Sequence, residues 1–245
     1  MLRNPWEEAV LDVIHATSES PGAFGEAFDQ TSPYAAGVML HGFGASGDDL
    51  APLSPLFPVR EQWLFPHAPG QIEWGGMLYG RAWFPRETRA MEAAMTGAYF
   101  NGLREQDPPG LSNAAVELFE LAEAHGLDWE ETLLGGFSQG AMVAVEVAIR
   151  APKPPKGLLL FSGSLIAEER WSSSAEELSR ARKRPGVFFQ SHGTSDQILP
   201  FEEGRALFDL LQSAGWEGSF VGFRGGHEIP PDVVREAHQQ LYTGG

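Results

Sequence analysis

Gly136-Phe137-Ser138-Gln139-Gly140 is the only G-x-S-x-G in the chain. Alone the pattern is weak, because glycine-rich turns with an incidental serine are common. Its flanks change that. Thr132-Leu133-Leu134-Gly135 reads as a strand before it, and Ala141-Met142-Val143-Ala144-Val145 as a helix after it. A strand, a tight turn and a helix lift the turn serine's hydroxyl above a sheet edge and aim the positive end of a helix at any negative charge developing there. The glycines two residues to either side leave room for the turn. A serine so placed is a candidate nucleophile.

Serine hydroxyl is a weak nucleophile until a base takes its proton, and the base must itself be held by an acid. In a strand–turn–helix arrangement of this type the order along the chain is Ser, then Asp or Glu, then His. After Ser138 the histidines are His192, His227 and His238, and the aspartates are Asp196, Asp209 and Asp232. Asp209 and His238 fall inside expected helices, and Asp232 follows His227. His192 ends the strand that precedes Asp196, too close to form a separate base loop. That leaves Asp196 as acid and His227 as base, each in a loop after an expected strand. Glu202 and Glu203, at a helix start, are the fallback acids.

Charge on a substrate oxygen calls for two backbone N–H donors, one on the residue after the nucleophile and one from an earlier loop. Gln139 supplies the first. Leu40-His41-Gly42-Phe43-Gly44 follows an expected strand and offers the Phe43 N–H as the second. The same loop satisfies G-x-G-x-x-G over Gly42 to Gly47, a dinucleotide fingerprint. Asp48 and Asp49 would repel a pyrophosphate there, Pro52 and Pro55 interrupt the helix that should follow, and the next strand ends in Pro66-His67 with no carboxylate for a ribose. No cofactor is therefore expected. No metal is expected either: H-E-x-x-H is absent, and His227-Glu228 runs into Ile229-Pro230-Pro231.

Positioning these groups requires a particular scaffold. Short apolar runs alternate with helical patterns, the signature of parallel strands joined by crossover helices. Strands are expected at Gly37–Leu40, Trp63–Phe65, Thr132–Leu134, Leu158–Phe161, Val187–Gln190 and Ser219–Phe223. Helices are expected at Ser112–Ala124, Gln139–Ile149, Glu202–Ala214 and Pro231–Leu241, with another from Pro5 to about Ala16 after an Asn4-Pro5 cap. Two excursions depart from the alternation: Gly70 to Gly110, rich in Gly, Met and aromatics, and Ser162 to Arg184, polar and superficial. At 245 residues the expectation is a single domain over 1–245, with the excursion at about 70–110 forming part of a pocket.

Composition narrows the partners. The formal charge of −16 works against nucleic acid and anionic membrane. The basic run Arg180, Arg182, Lys183, Arg184 reads as a solvated helix end. No apolar run is long enough to span a bilayer, so no membrane insertion is expected. Leu2 to Ala16 carries Glu7, Glu8 and Asp12 where a leader would be apolar, and there is no cysteine, which together point to the cytoplasm. Nothing in the sequence fixes an oligomeric state.

Taken together, the blocks resemble the phospholipase/carboxylesterase family of α/β-hydrolases, which includes acyl-protein thioesterases. Leu40-His41-Gly42-Phe43-Gly44, Phe65-Pro66-His67-Ala68-Pro69, Gly136 to Ala141, His192-Gly193-Thr194-Ser195-Asp196 and Gly225-Gly226-His227 occur in the family's order. The resemblance implies an α/β fold with a mostly parallel central sheet and helices on both faces. It also implies cofactor-free hydrolysis of a small-molecule ester or thioester, with Ser138, Asp196 and His227 matching the triad and Phe43 and Gln139 the oxyanion positions. His67 is expected to brace the oxyanion loop. Trp83-Phe84-Pro85 departs from the family's Trp-Phe-Asp. The expected activity is that of a serine carboxylesterase on apolar esters of small to medium size, with Trp83, Leu199 and Ile229 lining the acyl site. The alternatives are an acyl-thioesterase or lysophospholipase on the same residues, or a hydrolase-like binding protein without turnover.

Overall fold

The computed structural model describes residues 11–19, 25, 27–74, 77–85, 104–181 and 186–243. The apolar runs form strands, and each divides its side chains between two cores. In the strand Gly157–Phe161, Leu158 and Leu160 enter one core while Leu159 and Phe161 enter the other. The strand Ala36–Leu40 sends Val38 and Leu40 one way and Met39 the other. Successive side chains alternate across a strand, so a sheet covered on both faces needs continuous apolar runs, not an apolar–polar alternation.

In chain order the strands are β1 (Val13–Thr17), β2 (Ala36–Leu40), β3 (Gln62–Pro66), β4 (Gly70–Trp74), β5 (Met77–Ala82), β6 (Thr132–Phe137), β7 (Gly157–Phe161), β8 (Val187–Gly193) and β9 (Glu217–Phe223). Seven build one sheet in the order β1-β3-β2-β6-β7-β8-β9, parallel throughout except for β1, which runs antiparallel to β3. The helices are α1 (Leu111–Ala124), α2 (Gln139–Arg150), α3 (Glu168–Ala181), α4 (Phe201–Ser213) and α5 (Pro231–Thr243). Residues of α1 to α4 pack one face of the sheet. Those of α5, with the short 3-10 turn Ala51–Leu56, pack the other. This is the expected α/β-hydrolase architecture.

From β2 the chain moves outward to β3, and later returns to the opposite side of β2 as β6. At such a reversal the loops leaving adjacent strands diverge to opposite faces and open a crevice at the strands' carboxyl ends. Here those loops begin at His41 and Ser138, and the register sets Leu40 beside Gly136.

Two expectations are corrected. Residues 1–10 lie outside the described residues, but Val13 to Ala16 belong to strand β1, not to a helix. Val13, Ile14 and Thr17 are β-branched, and β1 runs in register along the exposed edge of β3, which offers them a ladder. The stretch from Ser162 is not superficial either. Leu165, Ile166 and Ala167 are buried, and Trp171 of α3 is completely so. Trp171 Nε1 donates to the buried Glu146 carboxylate, which also accepts from Arg170 at 2.7 Å. Polar spacing hid this helix because few of its residues are apolar: Trp171 and Ala175 are buried, and Arg170 pairs with both Glu146 and Asp107. The run from Arg182 to Arg184 lies outside the described residues.

The Gly70 excursion begins as a hairpin, β4–β5, whose backbone is bonded to the loop after β2. Gly44 N–H donates to the Arg81 carbonyl at 2.8 Å, and Arg81 N–H to the Ala45 carbonyl at 3.0 Å. A Cβ on Gly80 would lie 2.0 Å from the Gly44 carbonyl oxygen, so only glycine permits this approach.

On the buried side of α1, Glu117 is 8% exposed and its Oε2 has no hydrogen-bond partner among the described residues. Burial, reinforced by the charge of Glu120, pushes its carboxyl up to about 7. Unfolded glutamate titrates near ~4.3, so the folded state holds a proton that the unfolded state releases, and this group makes stability fall as pH rises from there to about 7. Glu117→Gln is expected to stabilise the protein by about 1–2 kcal/mol at pH 8, a rise of ~2–6 °C in Tm, and to change little at pH 4. Melting curves at both pH values check this; an equal effect at each would exclude the titration.

Candidate active site

At the end of β6 the chain turns into α2 through Ser138, which has φ 55° and ψ −117°. A positive φ strains any residue with a Cβ, and it persists only where the surroundings enforce it. Two glycines do so here. A Cβ on Gly136 would sit 2.4 Å from the Gly140 carbonyl carbon, and one on Gly140 2.1 Å from the Leu40 carbonyl oxygen. Strand ends and helix start are therefore in backbone contact. Ser138 N–H donates to the Phe161 carbonyl at 2.9 Å, while its own carbonyl accepts from Ala141 and Met142 at 3.1 and 3.2 Å to start the helix.

Asp196 and His227 come from the loops after β8 and β9. The parallel ladder pairs Gly193 with Phe223, and past it Thr194 N–H donates to the Phe223 carbonyl at 2.8 Å and Ser195 N–H to the Gly225 carbonyl at 3.0 Å. A Cβ on Gly193 would meet the Gly226 carbonyl oxygen at 2.1 Å, so these loops too touch backbone to backbone. The result is a hydrogen bond of 2.7 Å from His227 Nδ1 to Asp196 Oδ2, with the carboxylate fully buried and the imidazole side chain 16% exposed. Asp196 Oδ1 accepts the N–H groups of Ile198 and Leu199 at 2.8 and 2.9 Å. Burial alone would raise the Asp196 carboxyl pKa. Hydrogen bonds from His192, His227 and Leu199, with the imidazole charge, outweigh it and hold the group well below the usual carboxylate range. An ionised carboxylate only accepts, so the 2.7 Å contact puts a His227 proton on Nδ1.

The loop after β2 is held from several sides. His41 is completely buried; its Nε2 accepts from Ala68 N–H at 3.0 Å and its Nδ1 lies 2.7 Å from the Gly42 carbonyl. That pattern admits one state, neutral with the proton on Nδ1. Burial, only partly opposed by the bond to Gly42, lowers its pKa to about 4, in agreement. His67 braces the same loop, as expected, accepting Gly47 N–H on Nδ1 at 3.0 Å. Phe43 sits within this pinned segment. Gln139, the first residue of α2, has a backbone N–H with no partner inside the helix. Its side chain is buried and grips the chain beyond β5: Oε1 accepts Trp83 N–H and Nε2 donates to the Phe84 carbonyl, both at 2.8 Å.

Two expected substrate contacts take other roles. Trp83 is 1% exposed and Leu199 fully buried, so neither lines an open pocket. Trp83 Nε1 donates to the His41 carbonyl at 2.9 Å, which makes the indole a strut between the hairpin and the loop of Phe43. Leu199 closes the turn that carries Asp196. Ile229 is partly buried and lines an open apolar groove with Leu53, Pro58 and Val234. Of the fallback acids, Glu203 is engaged by Arg104 at 2.7 Å and Glu202 is exposed. The sequence reading missed His41, His192 and the Gln139 side chain as structural partners. The positions of His41 beside Gly42 and His192 four residues before Asp196 were the available signals. Among the described residues no group of three or more His, Asp or Glu is placed to hold a metal ion, and no helix is long and apolar enough to cross a membrane.

A family model described as phospholipase/carboxylesterase matches residues 30–244. The chain is 31% identical over 209 residues to a probable carboxylesterase of Oryza sativa subsp. japonica, covering 80% of this chain and 73% of that protein. It is 24% identical over 216 residues to acyl-protein thioesterase 1 of Gibberella zeae, covering 83% and 88%. Among solved structures, esterase PE8 matches with a TM-score of 0.68 at 26% identity over 95% of this chain and 98% of that one. A Bacillus cereus carboxylesterase, at 20% identity, shares the fold with a TM-score of 0.64 over 96% and 94%.

Trp83→Phe preserves an aromatic ring and removes the bond to His41. Turnover of an activated ester is expected to fall about tenfold, the equivalent of ~1.4 kcal/mol, with the preferred acyl length unchanged. Chain-length profiles of parent and variant check this; intact turnover with a preference for longer acyl groups would return Trp83 to the pocket wall.

Proposed function

The chain belongs to the phospholipase/carboxylesterase family, and we propose that it is a serine carboxylesterase working through Ser138, His227 and Asp196. The observation that carries this is the 2.7 Å bond between His227 and an ionised, buried Asp196, at the same sheet edge as a serine with φ 55°. In this reading Ser138 Oγ attacks the ester carbonyl carbon while His227 Nε2 takes its proton. Asp196 holds the imidazole and stabilises the imidazolium. The N–H groups of Phe43 and Gln139 bind the tetrahedral oxyanion, each donor contributing about 2.7–4 kcal/mol to the transition state. The intermediate collapses as Nε2–H protonates the leaving alkoxide, and the alcohol departs. Water then attacks the acyl-serine by the same proton path, releasing the acid and restoring the hydroxyl.

The proposed substrate class rests on charge and on acyl length. A chain of formal charge −16 repels anionic esters. Ile229 stands two residues beyond the base, but the groove it lines is bordered by neither Ser138 nor His227, so the preference for neutral esters of about four to eight acyl carbons rests on the ~0.8 kcal/mol that each fitted methylene adds. Thioester cleavage on the same residues is the second reading, favoured by the likeness to the Gibberella zeae acyl-protein thioesterase 1. A chain without cysteine fits the reducing cytoplasm as its place of work.

Ser138→Ala and His227→Ala should each lower turnover by about 10⁴–10⁶, and the double variant should be hardly worse, because the residues act as a unit. With an activated ester the parent should release a burst of one chromophore equivalent per active site. Activity of Ser138→Ala within tenfold of the parent would sink the mechanism. The substrate claim is tested separately: with esters and thioesters of graded length, kcat/KM should peak at about four to eight carbons and fall beyond. An optimum at palmitoyl length, or a preference for thioesters, would replace it.

A further inference from the structure

His192 approaches the same Asp196 oxygen, Oδ2, as His227 does. It ends β8 with its side chain completely buried, and its Nε2 is 3.0 Å from the Leu199 carbonyl and 3.4 Å from Asp196 Oδ2. Both neighbours of Nε2 only accept hydrogen bonds, since the carboxylate is ionised, so Nε2 carries the proton and shares it between them. The other nitrogen, Nδ1, has no hydrogen-bond partner. It faces Gly204 of α4, where a Cβ would lie 2.3 Å away. A proton on Nδ1 would be buried without an acceptor, so the donor the ring can use is Nε2–H, aimed at the acid's turn. The edge of Phe201, with ring centroids 6.1 Å apart, closes the surroundings.

The turn it touches presents Asp196 to the base. Asp196 Oδ1 accepts from Leu199 N–H, Oδ2 accepts from His227 and is approached by His192, and the Leu199 carbonyl accepts from His192. One imidazole N–H thus grips both ends of the turn. A residue that merely filled the core at this point could be any apolar side chain of similar volume, and would leave the Leu199 carbonyl without this donor. Gly204 and His192 also constrain one another across α4 and β8, since no larger residue fits at 204 with the ring in place.

We propose that His192 is a positioning residue for the catalytic acid, an N–H clamp that fixes the Asp196–Leu199 turn and with it the aim of Asp196 Oδ2 at His227. The proposal rests on the reading of Ser138, His227 and Asp196 as the triad. It makes His192 act only through Asp196, never on substrate.

That dependence gives the test. On a short-chain p-nitrophenyl ester, His192→Leu is expected to lower kcat about 10- to 100-fold with KM within about twofold. His192→Gln places an amide N–H near the position of Nε2 and should stay within about threefold of the parent. Gly204→Ala, which drives a methyl into the ring's place, should lower kcat in the same sense. Made again in an Asp196→Ala background, His192→Leu should change kcat by no more than about twofold, because the group it positions is gone. Melting temperatures establish that each variant is folded. If His192→Leu does not fold, Gln and Gly204→Ala carry the same comparison. Parent-like kcat in folded His192→Leu overturns the clamp, as does an equal loss in both backgrounds or a Gln variant as impaired as the Leu variant. Asp196→Ala alone reports on the underlying reading: if it is silent the triad assignment fails, whereas if it is crippling and His192→Leu is silent only the clamp fails.

Discussion

The backbone contact between Gly140 and the Leu40 carbonyl is the constraint on which the site depends. With a Cβ excluded at 2.1 Å on one residue and 2.4 Å on Gly136, the end of β2, the end of β6 and the start of α2 meet with no side chain between them. The two N–H donors assigned to the oxyanion leave that junction in adjacent loops, and the serine stands on it. Any larger residue at either glycine would push α2 off the sheet and separate the donors from the nucleophile. The strain at Ser138 is sustained by the same junction, through its bonds to Phe161 on one side and to the first turn of α2 on the other.

Electrostatics divides the buried histidines by role. Asp196 stays ionised while fully buried because donors surround both of its oxygens, and a charge so compensated can orient an imidazole without being neutralised by it. His41 is the opposite case: buried with no carboxylate bonded to its ring, it is kept neutral and used as a rigid two-ended pin, accepting from Ala68 and donating to Gly42. One residue type thus stands partly exposed against a carboxylate at His227 and fully enclosed as a pin at His41.

The strands were legible because a doubly covered parallel sheet writes itself as continuous apolar runs, and Leu158 to Phe161 is such a run. Ser138, Asp196 and His227 could be singled out because chain order and loop position left few histidines and aspartates to choose from, and the fold bonds the last two to each other. What escaped the sequence was contact between distant segments. Nothing local in Val13 to Thr17 distinguishes a strand from a helix end until the free edge of β3 is present. Trp83 looked like a pocket wall because it lies in an aromatic-rich stretch; it is buried in the core and its indole bonds the His41 carbonyl, 42 positions away. Leu199 was expected to line the acyl site, yet its side chain is fully buried and its backbone N–H bonds Asp196.

The departure at Pro85 from the family's Trp-Phe-Asp has a physical reading in the same terms. Gln139 holds this segment by the Trp83 N–H and the Phe84 carbonyl, both of which precede residue 85 and are backbone groups. The clamp therefore makes no demand on the side chain at 85, and a proline, which lacks an N–H, loses nothing that it uses. The proline ring instead lies against Gly110, where a Cβ would come within 3.3 Å of Cδ and where the backbone takes φ 92° to begin α1. In this chain residue 85 packs against the start of α1, and the contacts that run from the elbow through Trp83 to the loop of Phe43 use none of its atoms.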